Sequence, residues 1–451
     1  MSNISVLKQH IPELVVKTFN SQFELDNDKE STQKYDSTFL CDFVNSLIFT
    51  LVSCSNNKNN NNNLFISTDD LLMDFNLSDK HNKEKNMENI KVLETGLIHD
   101  LIQFMSNIPN FLVNIFYISD EYTPNDDDFM KNIKRIEEYY KSVSTKNTSA
   151  FDGIMPEYQI CLIVPKFKSG FITETTMQNR CAMKINYLLN RIQQLNANLE
   201  HRNSKKQSVG IVISSLELLN KNVFLTKKFW LSCPSKNTIN FLNSKDDGAA
   251  ILFTQYMNYI YTRWEAYKQE FNIKNTFKFN HMLKQYILDI VVHLRMHRFS
   301  IQGKSGGISS ISLNDMMQLS ILLAITYELL IKISDCKEDS SNIEDDMNVE
   351  DEEDTVVTPD IVKIASRWYF PFKLQLTYKR KNNLKTKNFR KDYSVQFGSD
   401  KKIVDELISN LYDLSLKKQN GFGIGSKEDI CLFYVELLVV DEVLKKVSPP
   451  F

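Results

Sequence analysis

The chain has 451 residues, of which 42% are hydrophobic and 24% charged, and its formal net charge is −2. These values are ordinary for a globular protein with a large core, and they exclude a collagen, a wholly disordered chain and a membrane channel. The length suggests two or three folding units. Because the net charge is close to zero, nucleic acid could be held only by a local basic patch.

The seven cysteines are far apart, and no two have the Cys-x-x-Cys spacing of a zinc or redox site. This pattern is typical of small buried side chains in a reducing compartment. The chain begins Met1–Ile4 without the basic and apolar regions of a signal peptide. Its longest apolar stretches, Phe43–Cys54 and Leu319–Ile331, are shorter than the about 18 residues that cross a membrane. We therefore expect an intracellular protein, nuclear or cytoplasmic, that makes no membrane contact.

Residues 1–125 are predicted to be an N-terminal α/β part. An apolar run over Thr38–Ser53 precedes an asparagine-rich tract at 55–63, which cannot bury a core and is predicted to be a disordered insertion. Leu64–Ile66 resumes a strand-like apolar run. Asn110–Ser119, rich in β-branched and aromatic side chains, predicts a second strand.

Residues 126–276 continue the α/β core. A helix is predicted near Phe129–Lys141, and Gln159–Val164 and Val209–Ile213 are apolar runs typical of strands buried on both faces. The helix predicted between them, Met177–Leu199, carries an apolar face at three- and four-residue spacing that consists of Met183, Tyr187, Leu188, Ile192 and Leu195. Strand, helix, strand with buried strands predicts a parallel sheet flanked by helices.

Residues 277–371 are predicted to be mainly helical, with an acidic insertion at 334–354. The first helix covers His281–His297. Ser312 resembles the N-cap of a second helix that runs to about Ile331. Thr358, followed by Pro359 and an aspartate, is a strong start for a third helix.

Residues 372–451 are predicted to be a small C-terminal α+β extension. Strands are expected near Phe372–Tyr378 and Tyr393–Phe397. A helix is expected over Asp400–Lys417, and a final helix before Pro449.

No phosphate-binding loop is complete. Gly303–Ser305 has the Gly-Lys-Ser ending, but Arg298 stands where the first glycine belongs, and the tripeptide follows a helix rather than a strand. Gly421–Gly425 has the wrong spacing for a dinucleotide fingerprint, because residue 426 is serine. These observations predict no nucleotide cofactor.

His293 and His297 have the four-residue spacing of two zinc ligands on a helix, but the glutamate that a zinc protease needs is replaced by Leu294. We expect both histidines to be packed and hydrogen bonded. Neither a metal site nor a catalytic residue is predicted.

The densest basic stretch is the one candidate binding site. It is interleaved with Tyr378, Phe389 and Tyr393, and it could contact nucleic acid, act as a nuclear-import signal or form a solvated loop between strands. Its cations are Lys379, Arg380, Lys381, Lys385, Lys387, Arg390 and Lys391.

Three tracts together resemble a known family. They are Tyr286–Arg298, Thr358–Pro371, and Gly398–Asp400 followed by Val443–Pro450. They are similar to the fungal maintenance of telomere capping proteins, the second-numbered family of that name. The resemblance covers about residues 280–451 and is only general over residues 1–150. It implies a role in telomere capping and no established biochemical activity.

The element order also resembles an AAA+ ATPase of the MoxR or replicative-helicase type, with a helical lid after the α/β core. In such enzymes the strand that corresponds to Ile160–Val164 ends in Asp-Glu, which holds magnesium. Here Pro165 and Lys166 follow it. The lid of those enzymes supplies an arginine, whereas residues 303–312 offer only Lys304. The resemblance therefore implies a degenerate AAA+-like fold, a pseudo-ATPase.

The sequence thus predicts a non-catalytic interaction or scaffold protein linked to telomere capping, with unidentified protein partners. Two alternatives remain open. One is a nucleotide-dependent AAA+ remodelling ATPase with unusual residues. The other is a protein that binds telomeric DNA directly through the basic stretch at 379–391.

Overall fold

The computed structural model describes twelve parts of the chain, which divide into two compact units at Lys268. The prediction of a four-part division stays a prediction. The asparagine-rich tract, apart from Asn63, and nearly all of the acidic insertion lie outside the described residues. Asn63, predicted to belong to the disordered insertion, is instead the first residue of a strand. The described residues are 43–53, 63–68, 83–119, 127–143, 156–166, 175–200, 206–233, 248–272, 279–301, 306–335, 356–376 and 433–449.

The first unit is built on a five-stranded parallel sheet, as the sequence predicts. In space the strands follow the order β2-β3-β4-β1-β5, so the first strand of the chain lies inside the sheet. Their bounds are β1 Asn63–Ser67, β2 Phe111–Ser119, β3 Glu157–Lys166, β4 Lys206–Ser214 and β5 Phe229–Ser232.

The central strands are buried on both faces, which explains their continuous apolar sequences. Ile160 of β3 pairs with Val209 of β4, and Phe65 of β1 pairs with Val212 of β4. All four side chains are buried. Strands in this setting need β-branched and aromatic residues, and the predictions for β2, β3 and β4 are confirmed.

Helices cover this sheet. The first, α1, packs on β1 and β5, the second on β2, and the fourth on β4. Their bounds are α1 Phe43–Ser53, α2 Lys83–Ser106, α3 Asp127–Val143, α4 Thr175–Glu200, α5 Leu216–Lys221, α6 Val223–Thr226 and α7 Gly248–Asn272. None of the helices described in the chain is long and apolar enough to cross a membrane.

The helix α4 exists as predicted, but its predicted apolar face was partly wrong. Met183 and Tyr187 are 67% and 54% exposed. The sheet-facing stripe consists instead of positions that follow the 3.6-residue period more closely, namely Ile185, Leu188, Leu189 and Ile192.

Buried polar side chains fix the amino half of the sheet. Asn63 Oδ1 accepts a hydrogen bond of 3.2 Å from the Gly210 amide, and Ser208 Oγ donates one of 2.8 Å to Gln159 Oε1. Asn196 on α4 also contacts both backbone groups of Ser208, at 3.0 and 2.8 Å. Since each polar group finds a partner, these residues set strand register without a stability penalty.

In the part of the second unit that the structure describes there are four packed helices, α8 His281–Met296, α9 Ile311–Asp335, α10 Pro359–Lys373 and α11 Tyr434–Lys446. The helix α10 packs on both α9 and α11, and α8 packs on α9 and α11. Thr358 is the N-cap of α10, as predicted, and its hydroxyl accepts a hydrogen bond of 3.3 Å from the Ile361 amide.

Two predictions about the secondary structure of this unit are wrong. Ser312 is not an N-cap, because α9 already begins at Ile311 and the Ser312 side chain is buried. The strand expected from Phe372 is not formed at its start, because α10 continues to Lys373. Of its described residues, 372–376, Leu376 alone makes a β-bridge, antiparallel to Ser300. The predicted strand at 393–397 and helix at 400–417 lie outside the described residues, and the final helix is confirmed as α11.

Candidate functional site at the carboxyl edge of the sheet

The strand order places a topological switch point between β1 and β4. The two strands are hydrogen-bonded neighbours, but the chain leaves them in opposite directions. After β1 it crosses to β2 at one edge of the sheet, and after β4 it crosses to β5 at the other edge. In open α/β sheets, a ligand-binding crevice forms outside the carboxyl ends of two strands whose connections leave in opposite directions. The carboxyl ends of β1 and β4 are therefore the candidate site.

Hydroxyl groups border this point. Ser67 and Thr68 end and follow β1, and Ser214 and Ser215 end and follow β4. The Thr68 amide donates a hydrogen bond of 3.2 Å to the Ser214 carbonyl oxygen, which ties the two strand ends together. At the end of β5, Ser232 Oγ is buried and finds no hydrogen-bond partner among the residues that the structure describes. The sequence analysis did not identify these hydroxyl groups as a site, although each of the three apolar runs ends in a serine.

The ends of β2 and β3 carry cations instead. Lys166, the last residue of β3, holds its Nζ atom 3.8 Å from the centre of the Tyr117 ring. From α4, Lys184 Nζ donates a hydrogen bond of 3.1 Å to the Ser119 carbonyl oxygen at the end of β2. The residue pair that closes β3 is thus Pro165-Lys166, a proline and a cation where the AAA+ resemblance implies two acids.

The polar groups accessible at this edge include the amines of Lys166 and Lys184, whereas four of the hydroxyl groups are buried, those of Ser67, Thr68, Ser214 and Ser232. Across the described parts of the chain, no three His, Cys, Asp or Glu side chains are grouped so that they could hold a metal ion. The thiol nearest the sheet centre, Cys161, is buried, and burial raises its pKa to about 12. A thiol in this state is not a nucleophile at neutral pH. Asp69 and Asp70 follow Thr68 in the sequence and lie outside the described residues.

The basic stretch predicted as a binding patch also lies outside the described residues, from Lys379 to Lys391, as does Lys304. It therefore stays a prediction.

A second polar cluster, buried in the helical unit, was not foreseen. Tyr369 Oη lies 2.5 Å from Asp315 Oδ2 and 3.3 Å from Ser312 Oγ. Lys373 is one turn further along α10, and its Nζ atom is 5.2 Å from the Tyr369 ring centre. Ser312 and Asp315 lie on one face of α9, and Tyr369 and Lys373 lie on one face of α10. These three- and four-residue spacings can be recognised in the sequence. That the two faces meet could not be read from the sequence.

Burial sets the protonation of this cluster. It lowers the pKa of Lys373 from 10.5 to about 8, although the nearby Asp315 carboxylate acts to raise it. Burial also raises the pKa of Asp315, against the opposing effects of Lys373 and Tyr369. Because these side chains are closed off from solvent, the cluster is suited to holding helices together rather than to binding a substrate.

The two histidines of α8 have different surroundings. His297 is buried, and its Nε2 atom lies 3.2 Å from Glu442 Oε2 on α11, so the prediction of a packed imidazole is confirmed. Burial lowers the pKa of His297 despite this carboxylate. His293 is exposed, which makes its predicted packing wrong, and its Nδ1 atom lies 2.8 Å from the Asp289 carbonyl oxygen. The helix α11 makes another ion pair through Asp441, which lies 2.7 Å from Nε of Arg367 on α10.

Comparison with known proteins finds relatives in several yeasts that share one name, Maintenance of telomere capping protein 2. The chain is 30% identical to the Lachancea thermotolerans protein over 226 residues, which is 50% of this chain and 59% of that protein. It is 29% identical to the Saccharomyces cerevisiae protein over 238 residues, covering 50% of this chain and 54% of that one. The Vanderwaltozyma polyspora protein is also 29% identical, over 236 residues, or 51% and 52%.

The chain thus spans a little over half the length of the curated relatives it matches. No protein-family model matches the chain, and no solved structure matches it either.

Proposed function

We propose that this protein takes part in telomere capping as a non-catalytic interaction protein. The observation that carries the proposal is its similarity, at 29–30% identity over half the chain, to yeast proteins named for the maintenance of telomere capping. Such a role places the protein inside the cell and in the nucleus. Its partners would be proteins of the telomere or telomeric DNA itself.

The absence of catalysis is supported by the candidate site. Phosphoryl transfer needs a magnesium-binding acid near the end of the strand that corresponds to β3, and this chain has Pro165 and Lys166 there. Among the described residues at the switch point, Ser67, Thr68 and Ser214 carry uncharged hydroxyl groups, which supply no charge to stabilise a leaving phosphate. We interpret the first unit as an AAA+-like α/β core without ATPase chemistry, and the helical unit as the counterpart of a lid.

A replacement experiment in Saccharomyces cerevisiae tests this proposal. A strain that lacks its own relative would express this chain, and single-stranded DNA at the chromosome ends would report the state of the cap. We expect the parent chain to restore capping, and the variants Lys166→Ala and Ser214→Ala to restore it equally. If both variants accumulate to normal levels yet fail to protect the ends, the carboxyl edge performs chemistry or binds an essential ligand, and the proposal is wrong.

Direct binding of DNA through the basic stretch is the second candidate function, favoured by seven cations between residues 379 and 391. It is tested with telomeric duplex at several salt concentrations. Replacing Lys379, Arg380 and Lys381 by glutamine should make the salt dependence shallower by about 0.9 per lost phosphate contact. The matched control replaces three exposed lysines elsewhere by glutamine, so that the total charge changes equally: Lys131, Lys134 and Lys445.

If the two triple variants bind DNA equally well, the basic stretch makes no specific phosphate contacts. Protein partners then remain as the ligands.

A further inference from the structure

The outer strand β2 is an unusual sheet edge. Its nine residues, Phe111–Ser119, contain no charged residue, no proline and no glycine. Leu112 and Tyr117 are 47% and 46% exposed, so the strand is open to its surroundings. Natural proteins usually protect such edges with charges, prolines, bulges or very short strands, because an unprotected edge pairs with another strand.

The opposite edge is protected. There β5 has only four residues, Phe229–Ser232, and all four are buried. The sheet therefore has one closed edge and one edge that is long, neutral and accessible. Within the described residues, β3 is the sole strand that pairs with β2.

The backbone of β2 shows which groups are offered to a new strand. The Tyr158 amide of β3 donates a hydrogen bond of 2.8 Å to the Asn110 carbonyl oxygen. In a parallel ladder, alternate residues direct both backbone groups to the same neighbour. Even-numbered residues of β2 therefore point their backbone groups at β3, and Val113, Ile115 and Tyr117 point theirs outward.

We propose that this edge pairs with the same strand of a second copy of the chain, in antiparallel orientation around a twofold axis at Ile115. In this register Val113 lies opposite Tyr117 of the second copy, and Ile115 lies opposite itself. All three are residues whose backbone groups point outward, so each pair exchanges two hydrogen bonds. The contact is closed and self-complementary, as in most symmetric dimers, and joins two sheets into one of ten strands.

The side chains suit this arrangement. Tyr117 beside Val113 is an aromatic and β-branched cross-strand pair, which is a stabilising type, and Leu112 meets Ile118 on the other face. No like charges face each other within the strand. The nearest cation, Lys166 of β3, is in register with Ser119. In the proposed dimer Ser119 lies opposite Phe111 of the second copy, so the two Lys166 residues are eight positions, or about 26 Å, apart along the strands. That distance exceeds the Debye length of about 8 Å, so the two lysines do not oppose pairing.

Light scattering on the full chain tests the proposal. The parent should have twice the 52.6 kDa mass of one chain at micromolar concentration. Tyr117→Lys should raise the dissociation constant of the dimer at least about tenfold, because it removes the two Tyr117–Val113 cross-strand pairs and places a charged side chain in each strand. Tyr187→Lys is the matched control, because this tyrosine is similarly exposed but lies on α4, and it should leave the dimer unchanged.

A charge exchange at the twofold axis distinguishes pairing from loss of folding. Ile115→Lys and Ile115→Glu should each be monomeric because like charges meet at the axis, and mixing them in equal amounts should restore a dimer. A parent chain that stays monomeric would overturn the proposal and leave the edge to a strand of another protein. A dimer that tolerates Tyr117→Lys and both Ile115 variants would also overturn it.

Discussion

At the scale of single residues, the cluster around Tyr369 shows how the buried polar side chains of the helical unit are hydrogen bonded to one another. One tyrosine hydroxyl contacts both Asp315 and Ser312, so a single side chain of α10 satisfies two polar residues of α9. A buried carboxylate that loses its hydrogen-bond donor is left unsatisfied, and the folded protein then bears the full free-energy cost of removing that carboxylate from water. The cluster therefore stabilises the packing of these helices only while it is complete.

Removal of this hydroxyl is the first prediction. Tyr369→Phe should lower the free energy of unfolding by about 1.5–3 kcal/mol, the range for a hydrogen bond to a charged group. Urea unfolding measures it, with Tyr187→Phe as the control, because Tyr187 is more than half exposed. A loss no larger than that of the control would show that Asp315 does not depend on Tyr369.

The lysine of the same cluster gives a pH-dependent prediction. Its folded-state pKa of about 8 lies below its ordinary value of 10.5. Between these values the unfolded chain binds a proton that the folded chain has released, so the contribution of Lys373 to stability rises with pH, by at most about 1.4 kcal/mol per unit. As pH falls through 8, that contribution is lost.

The variant Lys373→Met isolates this contribution. The stability difference, parent minus variant, should increase from pH 8 to pH 10, and taking a difference cancels the opposing titration of other groups such as Cys161. A difference that stays constant across this range would mean that the amine is charged in the folded protein.

At the scale of elements, Gly210 controls how closely α4 and β1 approach β4. A Cβ atom there would collide with Leu189 Cδ2 of α4 and come within 2.9 Å of Asn63 Oδ1 of β1. Gly210→Ala should therefore destabilise the protein by about 1–3 kcal/mol, the usual cost of overpacking. Gly96→Ala is the control, since no described atom beyond its neighbours in α2 lies within 4 Å of its Cβ position. That change should stabilise by about 0.5–1 kcal/mol.

Thermal and urea unfolding of both glycine variants measure this pair. Equal stability of the two variants would contradict the packing of α4 against the centre of the sheet.

The elements themselves were readable from the sequence where one local signal dominated. Ile160–Val164 and Val209–Ile213 contain no polar side chain, and a continuous apolar run of this length is typical of a strand between two helical layers. Thr358 with Pro359 fixed the start of α10 through capping alone. The end of α10 was misjudged because the alternating residues after Pro371 suggest a strand. The helix nevertheless continues through Pro371 to Lys373.

At the scale of the whole molecule, topology was the part that local patterns could not supply. The sequence indicates that β1 and β4 are strands, but nothing near Leu64 or Ile211 indicates that they are neighbours. The candidate site follows from this pairing, so its hydroxyl groups were not foreseen. The polar cluster of the helical unit was missed for the same reason, because Ser312 and Tyr369 are 57 residues apart in the chain.

Our central proposal is that this α/β core does not bind and hydrolyse a nucleoside triphosphate. Its most direct test is the melting temperature of the full chain with and without ATP and magnesium, since any ligand of the folded state must stabilise it by mass action. Nucleotide at a hundred times its dissociation constant would add about 2.7 kcal/mol. We predict no change in melting temperature. A clear rise, accompanied by hydrolysis that Lys304→Ala abolishes, would contradict the account.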